Sequence, residues 1–485
     1  MKHYNPSLKK ELFWDMSIAE STDGVRLLMH RPVRKGTALT CDKPWEGELC
    51  NYAKIFYDGE KYRFYYRGSG YTDGFGSKSH HSVWCVAYSY DGKNFFRPDL
   101  GIFEYEGSIH NNIVMKIDAF HLDNFSITYD VNPACPPEER YKAFTGEWCP
   151  PHHRLHYYIS ADGLHFKEVA PLTTTGNFDS LNVCFWDSRK EKYSLYLRGL
   201  HDADPACKIP HETEAWVRDV RVSYSNDMKE WTTPLPLDYG EEDRDEIQLY
   251  TNNVMLIPDT DLYLAMPTRY IDRAKDIHNF AHLADHAGTR YKALEGIVEQ
   301  RLGTAITDTM LMTSRDGEHF TRTKEAFYTP GPQTPDNWNY GDGFFAVGMA
   351  ESPSDFEGEE NELSLFVCLS PKYKEASFER YTVRKDGFFS YHAGFEEGTV
   401  VTTPFTFDAF SSLHLNFATS AIGYVRIEVL DEGGNPLAGY DTGRLFGDST
   451  NRPCDFAASL ADLAGKPIKL RVTMCDADLY SFFFV

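Results

Sequence analysis

From about residue 50 to residue 390 the chain is written in short runs where apolar and aromatic positions alternate with polar ones. Alternation with a period of two puts successive side chains on opposite faces of a strand. The runs come in pairs. "NYAKIFYDGEKYRFYYRG" from Asn51, "NVCFWDSRKEKYSLYLRG" from Asn182 and "NNVMLIPDTDLYLAMPTRY" from Asn252 each read as an apolar strand, a turn and a second, Tyr-bearing strand. "FFAVGMAES" followed after an acidic loop by "NELSLFVCLS" repeats the pattern, and "DNFSITYD" with "RYKAFTGEW" is a less regular copy. Helical spacing is nearly absent, and only Ile271 to Leu302 predicts a short helix or a long insertion.

A second phrase follows each pair: "YSYDGKNF" at Tyr88, "YISADGLHF" at Tyr158, "SYSNDMKEW" at Ser223, "MTSRDGEHF" at Met312 and "TVRKDGFF" at Thr382. Its aspartates, Asp91, Asp162, Asp227, Asp316 and Asp386, are 71, 65, 89 and 70 residues apart. Periods of this length filled with strands predict propeller blades of four strands, hence five blades. Asp binds turn amides and the following Gly accepts positive φ, so the phrase is scaffold, with its trailing Phe or Trp packed between blades. A residue needed once for chemistry has no reason to recur in every blade.

After about Phe395 the rhythm changes to longer alternating strands with Gly, Asn and Pro turns and without the Asp-Gly phrase, which predicts a separate β-sandwich. The expected organisation is all-β: a five-bladed propeller over 1–394 and a sandwich over 395–485. Residues before about Asp42 are expected to add an outer strand or to wrap the first blade. Bracing the propeller is the expected role of the sandwich.

In a propeller the first strand of each blade lines the axis, and the antiparallel second strand returns to the same rim. Residues just before first strands and just after second strands must converge there. The former are Glu46, Asp123, Asp179, Glu246 and Asp342; the latter are Arg67, Arg198 and Arg269, with Trp148 in blade two. Trp45, Tyr52, Asn124, Asn182, Tyr250 and Asn252 fall between them. Any one such carboxylate caps a turn as readily as it catalyses, and each arginine can pair with an acid of the next blade. Together they predict a polar, aromatic-walled pocket. Two carboxylates around such a pocket are what glycosidic cleavage needs, one to protonate the departing oxygen and one to attack or to activate water. Apolar walls such as Trp45 or Phe178 would raise the pKa of the acid, and inward arginines without partners would favour an anionic sugar.

Composition narrows the partners. Asp plus Glu number 72 against 49 Lys plus Arg, and the net charge of −23 repels nucleic acid and anionic lipid. No run is apolar and long enough for a helical membrane span, and "MKHYNPSLKKELFWDMS" lacks the apolar centre of a secretory signal, so the expected location is cytoplasmic, although a trimmed signal would leave the same appearance. The ten cysteines form no Cys-x-x-Cys pair and are expected to be packed, reduced thiols. The histidine pairs His80/His81 and His152/His153 put their rings on opposite strand faces, so with His156 they are not expected to bind metal. No phosphate loop, dinucleotide fingerprint or G-x-S-x-G is present.

Five blades with acids ahead of their first strands and a trailing sandwich resemble the furanosidase superfamily of glycoside hydrolases (families 32, 43 and 68). More closely, "PWEG", "YRFYYRG", "PDLGIFEYEGSIHNNIV", "ERYKAF", "FDSLNVCFWD", "LYTNNV", "LMTSRDG" and "LNFATS" resemble bacterial family-32-like proteins without a settled activity. The resemblance implies a first-blade acid as nucleophile, an Asp as transition-state stabiliser and a Glu as general acid. The invertase-type Asn-Asp-Pro, Arg-Asp-Pro and Glu-Cys motifs are not intact here. Glu46 stands in the place of the first acid, as nucleophile or water-activating base; Asp179 matches the stabiliser and Glu246 the general acid, with Asp123 and Asp342 in reserve. Some relatives carry a structural calcium; no other cofactor is implied. The expectation is a glycoside hydrolase acting on a terminal, furanosidic sugar, the alternative a carbohydrate-binding propeller without catalysis.

Overall fold

The structure is a computed structural model that describes the chain except residues 71–78, 118–123, 148–153, 170, 173, 204–215, 244, 274–281, 284–287, 296–300, 335–336 and 371–373. Five sheets form the blades of a propeller. Blade one is Lys54–Tyr57, Tyr62–Gly68, Val83–Ser89 and Ile113–Lys116; blade two is Ser126–Tyr129, Tyr141–Glu147, Arg154–Ser160 and Lys167–Glu168. Blade three is Val183–Asp187, Lys192–Asp202, Trp216–Ser225 and Leu235–Pro236, and blade four is Met255–Leu256, Tyr263–Ala265, Met312–Ser314 and Thr321–Arg322. A hairpin of Thr268–Asp272 with Ala305–Thr309 prolongs blade four toward the rim, and the short helices Thr289–Leu294 and Arg301–Thr304 fall in the insertion expected there.

Blades stack face to face, so their middle strands are covered on both sides. This is why "VWCVAYS" of blade one is buried at every position rather than at every second one. The Asp turns, Asp-Gly in three copies and Asp-Met at Asp227, close the strands as expected. Asp162 accepts the amides of Leu164 and His165 at 2.8 and 2.9 Å and the Ser160 hydroxyl at 2.9 Å; Asp91, Asp227 and Asp316 repeat the arrangement. The turns also seam the blades: Tyr65 of blade one donates to the Gly163 carbonyl at 3.0 Å, and Tyr196 of blade three to that of Gly317 at 2.9 Å. Gly163, at φ +73°, has no room for a side chain, since a Cβ would lie 2.6 Å from the Tyr65 hydroxyl.

The fifth copy departs. Asp386 itself takes positive φ, binds Lys10 and the Ser481 hydroxyl, and offers its carbonyl to Trp14. It joins the propeller to the remaining strands.

The expected domain limits need correcting at both ends. Blade five is Phe344–Phe345 with Ala350–Ser352, then Glu362–Leu369, Ser377–Arg384 and, as its outer strand, Val33–Thr40 from the start of the chain. Closing the ring with a strand from the other terminus ties the last blade to the first part of the sequence. Residues still earlier leave the propeller: Lys2–Tyr4, Lys10–Leu12, Ala19–Asp23 and Val25–Met29 pair with C-terminal strands. The C-terminal unit begins with Phe389–Ala393, ahead of residue 395. Its backbone is the pair Leu413–Asp431 and Ile468–Phe484, long bulged strands with shorter strands on both flanks, enclosing one apolar cluster built around Tyr4, Phe13, Phe405, Phe417, Val472 and Phe482. Arg315 of blade four, bound to Glu11 and Asp15 at 2.8 Å each, fastens this unit to the propeller.

Candidate active site

The segments before the first strands meet at the axis, and side-chain amides and a serine hydroxyl hold them there. Asn124 donates to the Phe178 carbonyl, Ser180 to that of Tyr250 at 2.7 Å, Asn252 to Leu181 at 2.9 Å and Asn253 to Phe345 at 2.7 Å. Val347 of blade five exchanges backbone hydrogen bonds of 2.8 and 2.9 Å with Ile55 and Ala53 of blade one. Asn124, Asn182 and Asn252, expected to touch a ligand, are therefore buried seam residues; Asn182 donates to Phe178 and Ser180 carbonyls at 3.2 and 3.0 Å. The seam joins these segments and takes the three amides out of the pocket wall.

Above this ring lies a cluster of tyrosines and guanidinium groups. Arg67 sits 5.0 Å from the Tyr52 ring, Arg198 4.7 Å from the Tyr250 ring, and Arg218 5.3 and 4.7 Å from the Tyr250 and Tyr270 rings. The Tyr340 hydroxyl donates to that of Tyr250, and Phe344 packs within 5.8 Å of Tyr52. The arginines are positioned by backbone and amide oxygens: Arg67 by Leu49 at 3.0 Å and by Asn51, Arg198 by the Tyr250 carbonyl at 2.7 Å, Arg218 by Gln248 at 2.7 Å. Stacking a guanidinium on a ring is favourable when both are desolvated.

Asp179 is the exposed carboxylate at this cluster. Its side chain is 60% accessible, with Oδ2 3.7 Å from Arg198, whose own side chain is 3% accessible. Burial, with Tyr250 and Asp179 close by, pushes the Tyr52 phenol well up, against the pull of Arg67 and Arg198, so Tyr52 stays protonated and able to donate. Glu246 is 14% accessible and 3.8 Å from His201; His201 in turn binds Asp219 at 2.9 Å.

Other expected site residues are placed elsewhere. Glu46 is closed off: Arg97 grips both its oxygens at 2.8 Å, the Tyr66 hydroxyl donates at 2.5 Å and the Lys43 amide at 3.0 Å, with no side-chain surface left to solvent. A shallow pocket of about 430 Å³ adjoins it, reached only by its backbone. Asp342 is wholly buried and accepts the Asn339 amide at 2.8 Å, the capping role open to any loop carboxylate. Arg269 pairs across its hairpin with Asp308 at 2.8 Å, Nε to Oδ1, and binds the Lys324 carbonyl, so it belongs to the blade rather than the pocket. Trp45 donates its indole N–H to Asn112 at 2.8 Å. Asp123 and Trp148 lie outside the described residues.

Arg218, Gln248, Tyr270 and Tyr340 were not among the expected residues. Arg218 was within reach of the same rim argument, because strand three starts where strand two ends. Among the described residues no group of three or more His, Cys, Asp or Glu could hold a metal ion. His156 binds Glu168 and Glu147 at 2.6 and 3.1 Å. The eight described cysteines are free thiols, seven of them buried.

No family model and no curated protein matches the chain. Solved structures that resemble it include an N-acetylgalactosamine deacetylase from F. plautii in complex with blood group B trisaccharide: 12% identity, 75% of this chain and 96% of that one, TM-score 0.44. A structure from the GH130 family of mannoside phosphorylases, described as containing glycoside hydrolases that target β-1,2 mannosidic linkages in Candida mannan, shares 13% identity over 73% of this chain and 94% of that one, TM-score 0.42. A glycosyl hydrolase from Bacteroides ovatus shares 13% over 77% and 92%, TM-score 0.39. Likeness at this level says nothing about chemistry, and the site is read from its own geometry.

Proposed function

We propose that the protein is a carbohydrate-active enzyme, a glycoside hydrolase that takes a terminal sugar into the funnel. The observation that carries this reading is Asp179: an accessible carboxylate in the middle of a wall that is otherwise buried aromatic and guanidinium surface. Sugars are bound by such mixtures, with rings against C–H faces and fixed charges on hydroxyls. Asp179 acts at the anomeric centre, stabilising positive charge there or activating water, and Glu246 supplies the proton to the departing oxygen. Tyr52 donates to a ring hydroxyl. Arg198 orients Asp179 and gives it a cationic neighbour. A furanoside as the sugar rests on the resemblance to the furanosidase superfamily alone.

The test is turnover of a panel of aryl glycosides and oligosaccharides by the wild type, Asp179→Asn and Glu246→Gln. Each change is expected to lower kcat by about 10²-fold or more. Undiminished turnover of the true substrate by Asp179→Asn overturns the assignment.

A second reading, a binding propeller without catalysis, is favoured by one observation: Glu46 is closed off by its partners and Asp342 is wholly buried, which thins the supply of accessible carboxylates. Under it, calorimetry shows the wild type binding sugar with no turnover of any panel member.

A further inference from the structure

A cleft of about 630 Å³ opens between blade five and the C-terminal sheet, away from the funnel. The outer strand of blade five and loop 358–362 form one wall; His30, Asp448 to Thr450 and Tyr480 form the other. We propose that this cleft is a second ligand site, for a neutral, hydroxyl-rich chain such as an oligosaccharide, independent of the reaction in the funnel.

Its volume is within the range of small-molecule sites. Tyr480 is 7% accessible, its ring held between His30 at 5.2 Å and the Arg384 guanidinium at 4.9 Å. Its hydroxyl makes no hydrogen bond to any described residue and is not sealed from the cleft. Polar groups so deeply placed are normally satisfied, so a donor left facing a cavity marks a position for a ligand oxygen. Burial pushes this phenol up to about 12, which keeps the donor protonated.

Most of the charges around the cleft are already engaged with neighbours. Lys35 is spent on Glu362 at 2.8 Å and Arg384 on Asp448; Glu359 accepts from the Ser354 hydroxyl at 2.7 Å and Glu360 from the Thr450 amide at 2.9 Å. Burial lowers the pKa of His30, with Arg384 and His392 acting the same way and Asp478 opposing, so His30 faces the cleft mainly as a neutral ring near pH 7. Hydroxyl groups can share the remaining lone pairs and protons of these groups, and Arg31, an exposed residue of the lining, offers further donors. Outside the lining, 6.0 Å from the Nζ of the lining residue Lys35, the Phe356 ring is 65% exposed, a platform on which a pyranose or furanose face reaching out of the cleft can stack.

The experiment is affinity electrophoresis of the full chain in native gels containing yeast mannan, levan or arabinan, with aryl-glycoside turnover measured on the same preparations. At least one of these polysaccharides is expected to retard the wild type and Asp179→Asn equally. Tyr480→Phe, which removes only the unbonded hydroxyl, and Phe356→Ala, at an exposed position, are each expected to weaken retardation about threefold or more and leave turnover unchanged. Retardation by none of the three polymers, retardation indifferent to both cleft changes, or retardation abolished by Asp179→Asn overturns the proposal; the last places binding in the funnel.

Discussion

Glu46 and Asp179 both precede the first strand of their blades, by eight and four residues, yet they meet opposite fates. Glu46 is walled in by Arg97, Tyr66 and the Lys43 amide. Asp179 stays open to solvent beside Arg198. The difference lies in the partners: Arg97 reaches Glu46 with two of its nitrogens at 2.8 Å and closes it off, while Arg198 is turned onto the Tyr250 ring and carbonyl and reaches Asp179 only at 3.7 Å. A carboxylate ahead of a first strand meets an arginine in both blades; what that arginine is already bonded to decides whether the carboxylate stays open to solvent.

The comparison breaks most sharply on stability. Glu46→Gln leaves the Arg97 charge without its bidentate partner, and the expected loss is roughly 3 kcal/mol, the low end for a buried pair because Arg97 keeps 19% of its side chain in solvent. Denaturant unfolding checks it, and a loss below about 0.5 kcal/mol would show that the closed shell is not what Glu46 is for.

Lys54 sharpens the contrast as a third charge, 7% accessible, with no carboxylate among the groups that act on it. Burial lowers its pKa from 10.5 to about 8. Below pH 8 the folded protein bears the full cost of the buried ammonium. As pH rises from 8 toward 10.5 the folded amine sheds its proton before the unfolded one, and this term favours the folded state by up to about 3 kcal/mol. Lys54→Met is expected to be more stable at pH 7 by up to that amount, with the rise gone from its pH–stability curve.

The smallest effect belongs to the turns. Burial works upward on Asp316, but the His319 and Glu318 amides, the His319 ring and Ser314 outweigh it and hold the carboxyl at about 2. Its contribution is complete above the ordinary value of 3.8 and fades as pH falls toward 2. Asp316→Asn is expected to cost under about 1 kcal/mol at pH 7, discounted for exposure, and the gap to the wild type should close across that acid window.

The blade count was legible because four Asp turns use the same local hydrogen bonds, which sequence spacing reports directly. The fate of Val25–Met29 was not: alternation marks it as a strand, but only long-range pairing with Phe389–Ala393 decides that it joins the C-terminal sheet. In the site, Arg67 and Arg198 could be found from their places at strand ends. The closure of Glu46 could not, since Arg97 lies 51 residues away in a loop that carries no sign of its target.

The most direct measurement compares Asp179→Asn with Glu46→Gln in one experiment that reads kcat and thermal midpoint together on the substrate the panel identifies. The account predicts crossed outcomes: Asp179→Asn loses about 10²-fold or more in kcat with a nearly unchanged midpoint, and Glu46→Gln drops the midpoint by several degrees while the folded fraction keeps its kcat within a few-fold. The reverse pattern, with Glu46→Gln inactive yet stable and Asp179→Asn fully active, would contradict it.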